Sequence, residues 1–191
     1  MGLRLWSWAR FGMGLALGPE VGAPPKAVSR MLALARVGQD DVVVDVGSGD
    51  GRVVRAAARL GARKAIGYEV GQAMHRESVA LRDAMTDASA RARVELVHGN
   101  VLSLGPSAVK DATAVTLYLS ERGNVDVTRD VLSPGLRNGT TVVSCAFPIR
   151  GIKADLREEC DGLNLYLFHV RPGWADTLGD AHAGDESGRF L

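Results

Sequence analysis

Two rhythms alternate along the chain. Five runs of β-branched and aliphatic residues, at 42–46, 65–69, 94–98, 112–119 and 140–147, are bounded by glycine and polar residues, as buried strands are. Between them the apolar positions recur at helical spacing. Val28, Met31, Leu32 and Ala35 follow Pro24-Pro25, an alanine-rich stretch over 52–60 stops at Gly61, and further helical patterns cover 72–88 and 125–132. After the Asn138-Gly139 turn signal the order changes. Ile152, Ala154 and Leu156 alternate with polar neighbours before Asp161-Gly162, and residues 163–170 read as one more strand, so the end of the fold is expected to be an antiparallel hairpin. The pattern predicts an α/β fold, a mostly parallel seven-stranded sheet with helices on both faces.

At 191 residues the chain has the size of one domain. That domain is expected over residues 23–178. The formal net charge of +1 supplies no basic footprint, so no nucleic-acid partner is expected. Cys145 and Cys160 have no metal-ligand spacing, and His75, His98, His169 and His182 are scattered, so neither a metal site nor a disulfide framework is expected. Residues 1–22 differ in character. Arg4 and Arg10 stand among Leu3, Leu5, Trp6, Trp8, Phe11, Met13, Leu15 and Leu17, and no acid precedes Glu20. This extension reads as a targeting or membrane-surface segment, too short and too charged to span a bilayer, with an extension packed on the domain as the alternative. The glycine-rich polar tail, residues 179–191, is expected to be disordered.

The densest chemistry lies where the first strand meets the first helix of the alternating series, in Asp45-Val46-Gly47-Ser48-Gly49-Asp50-Gly51. A dinucleotide fingerprint would put its third glycine at 52, where this chain has an arginine. A pyrophosphate at a helix N-terminus also favours bare N–H groups, whereas Asp50 places a carboxylate nearby. The string therefore suits a phosphate-free, cationic or neutral nucleoside, and S-adenosyl-L-methionine fits that description. Cofactor contacts are expected from Asp45, Gly47, Ser48, Gly49 and Asp50. Glu69, closing the second strand, is placed to accept from ribose hydroxyls, and Asn100, after the third strand, to meet the adenine amine. A plain turn with Asp50 as a helix cap, and Asn100 as a turn residue, are the alternatives. Tyr118 and Phe147 end the fourth and fifth strands. They are candidates for an acceptor channel that packs a lysine stem, or else simple strand-end aromatics.

Pro24-Pro25 ahead of Met31-Leu32-Ala33-Leu34, the string from Asp45 through Gly51-Arg52-Val53-Val54, Gly67-Tyr68-Glu69 and Phe147-Pro148 together resemble the lysine N-methyltransferases related to the ATP synthase c-subunit enzyme, over residues 23–170. The resemblance implies a Rossmann-like class I methyltransferase sandwich, methyl transfer to a protein lysine, and Asp45, Gly47, Gly49 and Glu69 in the cofactor site. It also implies a hydrophobic leader directing the protein to mitochondria, the alternative being the cytoplasm. Asn100 departs from the aspartate common in that group, and Thr116-Leu117-Tyr118-Leu119 is not an Asn-Pro-Pro-Tyr motif, which disfavours base amines as acceptors. A small-molecule methyltransferase and a non-catalytic nucleoside-binding module remain rival readings.

Overall fold

The computed structural model describes residues 22–178, so most of the predicted targeting segment and the whole polar tail lie outside the described residues. The chain enters through α1 (Pro25–Leu34) and proceeds through β1 (Val42–Val46), α2 (Arg52–Arg59), β2 (Lys64–Glu69), α3 (Gln72–Asp83), α4 (Ala88–Ala92) and β3 (Val94–His98). It continues with α5 (Val101–Leu104), β4 (Ala114–Leu117), α6 (Glu121–Val127), β5 (Thr141–Cys145), β6 (Leu156–Cys160) and β7 (Leu163–His169). The sheet order is β3-β2-β1-β4-β5-β7-β6. Strands β1 to β5 pair in parallel, and β7 runs antiparallel to both β5 and β6.

All five residues of β1 are buried, which is why its sequence is nearly continuous valine: the strand lies mid-sheet with helices over both faces. One face packs Val43, Ala65, Ala114 and Val143 beneath Val28, Met31 and Leu32 of α1 and Val54 and Ala57 of α2. The other packs Val44, Val115, Leu117 and Val142 against Val125 of α6 and the Val131-Leu132 turn. Met31 and Leu32 are 0% and 1% exposed, burial that stabilises by about 1.5–3 kcal/mol each.

Several boundaries differ from the expectation. The helix predicted over 72–88 is two helices, because the Asp87 side chain accepts from Ala90 N–H at 3.0 Å and starts α4 afresh. The helix predicted over 125–132 begins earlier, at Glu121, with Ser120 Oγ accepting from Gly123 N–H at 3.1 Å. It then loosens into a π-helical turn, Thr128–Leu132. The Ile152–Leu156 alternation belongs mostly to a loop, and β6 starts only at Leu156.

A candidate active site at the carboxyl ends of the strands

The turn after β1 needs glycine for a steric reason. Gly47 has φ +76°, and a Cβ there would fall 2.6 Å from Leu119 Cδ2. Its N–H and that of Ser48 both donate to the Tyr68 carbonyl at 2.9 Å, which ties the turn to β2. Gly67 in β2 makes room in return, since a Cβ there would lie 2.7 Å from Ser48 Oγ. The Glu69 carboxylate finishes the lacing. It accepts from Gly49 N–H at 2.8 Å and from Gly71 N–H at 2.6 Å, and so holds two loops apart at a fixed distance.

These loops bound a cavity of about 390 Å³ at the carboxyl ends of the parallel strands, the crevice where open α/β sheets take their ligands. Asp45, Gly47, Ser48, Gly49, Asp50, Glu69, Asn100 and Tyr118 all line it. Phe147 does not.

The side chains differ in their commitments. Asp45 is 3% exposed and accepts from Thr116 Oγ1 at 2.6 Å. Burial pushes its carboxyl up to about 7, the Thr116 bond opposes this, and the charges of Glu69 and Asp50 add to it. Asp50 is not a bare anion: Arg52 grips it with Nε at 2.9 Å and Nη2 at 3.0 Å, and Arg52 N–H donates to it at 3.0 Å. Burial raises the Asp50 pKa, but the bonds and charge of Arg52 outweigh it and hold the carboxyl below its ordinary value. Asn100 caps α5, its Oδ1 accepting from Leu102 N–H at 3.0 Å. Ser48 Oγ is buried and has no hydrogen-bond partner among the described residues.

On the acceptor side, Tyr118 is half-buried and burial raises its phenol pKa. Phe147 stands beyond the end of β5, in a turn where Ala146 takes φ +66°. The turn is held from beneath by Asn124, whose Nδ2 donates to Ser144 Oγ and to the Phe147 carbonyl, both at 3.0 Å. The sequence reading missed Thr116, Asn124 and Glu77, which also lines the cavity. Thr116 left a signal, as a lone polar residue inside an apolar run whose register sets it beside Asp45. At the opposite, amino-terminal ends of β2 and β3 lies a groove of about 610 Å³ lined by Arg63, Lys64, Arg82 and Arg93, with Glu95 the acid among its lining residues.

S-adenosylmethionine can be tested against this cavity. Four acidic side chains, Asp45, Asp50, Glu69 and Glu77, line the cavity with one guanidinium, Arg52, an acidic balance suited to a cation and poorly suited to a pyrophosphate even with Asp45 half protonated. The glycine turn offers a close backbone approach, and each Glu69 oxygen retains a lone pair beyond its N–H bond for a ribose hydroxyl. The residues fit the cofactor. Asp45 would face its ammonium end, Glu69 its ribose and Asn100 its base, and the cofactor when bound supplies a methyl group already activated on sulfonium.

A seven-stranded sheet of this order, with an acid-lined, glycine-walled cavity at its carboxyl edge, is that of an S-adenosylmethionine-dependent methyltransferase of Rossmann-like class I architecture. A crystal structure of an RNA methyltransferase from Salinibacter ruber, in complex with S-adenosyl-L-homocysteine, superposes with a TM-score of 0.70 at 34% identity, covering 78% of this chain and 94% of that one. The chain belongs to the ANTKMT methyltransferase domain family, whose profile matches residues 45–156. It is 37% identical over 157 residues to a protein-lysine N-methyltransferase of Saccharolobus islandicus, spanning 80% of this chain and 93% of that protein. A shorter stretch of 52 residues, 27% of this chain, is 50% identical to the mouse adenine nucleotide translocase lysine N-methyltransferase and covers 22% of it.

Proposed function

We infer that the enzyme methylates a lysine side chain of a protein, with residues 23–178 as the catalytic domain. The charge of the cavity carries this reading: with Asp45, Asp50, Glu69 and Glu77 against Arg52, it attracts a cationic acceptor as well as a cationic cofactor. The names of the archaeal and mouse relatives agree with it. Asp45, Gly47, Ser48, Gly49, Asp50, Glu69 and Asn100 form the cofactor side. Tyr118, which lines the cavity at the end of β4, forms the entry for the lysine stem, and Phe147 stands outside that lining.

A lysine ammonium, with reference pKa near 10.4, must lose its proton before its nitrogen can attack. Partial desolvation against Tyr118 favours the neutral amine, and positioning for in-line displacement does the rest. The rate of the chemical step therefore rises with pH across the neutral range. A flat profile between pH 6 and 10 argues against a lysine nucleophile.

RNA is the second reading, favoured by the name of the Salinibacter ruber neighbour and opposed by the acidity of the cavity. Incubation with labelled cofactor and cell lysate separates the readings. Label in protein, on lysine by mass spectrometry, is expected; label in RNA or in the low-mass fraction overturns the proposal. The arginine-bearing N-terminal extension, residues 1–22, is read as a targeting or membrane-surface segment, with mitochondria as the destination and the cytoplasm as the alternative. Fluorescent fusions with and without those residues test that placement.

A further inference from the structure

Arg52, the residue that breaks the dinucleotide spacing, has a task of its own. Gly22 and Ala23 line the cavity, and Ala23 is 3% exposed. Pro24 and Pro25 follow and offer no N–H, so this stretch has few ways to be fastened. Arg52 fastens it. Its Nη1 donates to the Ala23 carbonyl at 3.0 Å while its Nε and Nη2 hold Asp50 at 2.9 and 3.0 Å. Among the described residues this is the one hydrogen bond joining residues 22–24 to the start of α2, and through Asp50 to the glycine turn. Gly22 lies so close to the guanidinium that a Cβ would sit 2.6 Å from Arg52 Cζ.

The geometry points to Arg52 as a latch, a positioning residue that straps residues 22–24 along the cofactor cavity and sets how fast cofactor and product exchange. Asp50 aligns the planar fork of the guanidinium, and the three donors it then uses leave little slack. The Asp50 side chain is only 13% exposed against 36% for Arg52, so solvent screens the pair incompletely. The inference concerns the cofactor side and is indifferent to the methyl acceptor, so its failure and that of the lysine reading are separable.

The test is the dissociation rate of S-adenosyl-L-homocysteine, measured by chase in the full chain. R52Q is expected to raise that rate about tenfold. Gly22→Ala keeps the backbone but pushes the guanidinium aside, and should also speed dissociation. The double variant should be no faster than R52Q, because both changes open one latch. Dissociation within twofold of wild type in R52Q, or effects of the two substitutions that multiply, overturns the inference. If R52Q does not fold, Gly22→Ala decides alone, and an unchanged rate in it is sufficient to reject the latch.

Discussion

A carboxyl group with its pKa pushed up to about 7 by burial is half protonated near neutrality, and Asp45 is such a group. Its folded pKa lies above the ordinary 3.8, so the protonated form favours folding. That contribution is whole below about pH 4 and is lost as pH rises through 7. The loss amounts to about 4 kcal/mol at most, from roughly three pKa units at 1.36 kcal/mol each. Asp45→Asn should therefore be more stable than wild type at pH 8 and equal to it at pH 4, as read by denaturant midpoints. Equal stability at both values would mean that Asp45 ionises without penalty. The Glu69 side chain accepts from the backbone N–H groups of Gly49 and Gly71. Glu69→Ala should weaken S-adenosyl-L-homocysteine binding by about 1.5–3 kcal/mol, through charge-assisted bonds lost. Calorimetric titration measures this, and unchanged affinity removes Glu69 from the site.

The elements were legible in proportion to how much their own residues decided them. β1 and β3 stand where the sequence puts them, since a valine run closed by glycine and a Val-Glu-Leu-Val-His run closed by Gly99-Asn100 admit few other boundaries. The start of α6 was not legible, because Glu121-Arg122-Gly123-Asn124 is polar and carries a glycine. The helix forms there because Ser120 caps it, and because Gly123 and Asn124 are buried by tertiary packing. The strand-end acids were readable from position alone, whereas the Thr116 bond to Asp45 depends on register between strands 71 residues apart. Phe147 was placed at the right strand end, but the turn set by Ala146 and Asn124 leaves it out of the cavity lining. The β1 turn is where a single change should cost most. Gly47→Ala meets both a φ of +76° and the Leu119 side chain, and should lower stability by about 1–3 kcal/mol. A thermal midpoint equal to wild type would show that the turn relaxes freely.

At the scale of the whole molecule, the carboxyl ends of the strands carry an acidic cavity and the amino-terminal ends of β2 and β3 an arginine-lined groove. The formal charge of the whole chain is only +1, yet acids outnumber the single arginine in the lining of the cavity. The local field at the mouth of the site is therefore negative, and it steers a diffusing polycation toward the cavity before contact. Association with a lysine-rich peptide should slow severalfold when salt shrinks the Debye length from about 30 Å to about 3 Å, although the net charge alone forecasts indifference. Stopped-flow association at the two ionic strengths reads this directly, and a salt-independent rate would mean that encounters are unguided.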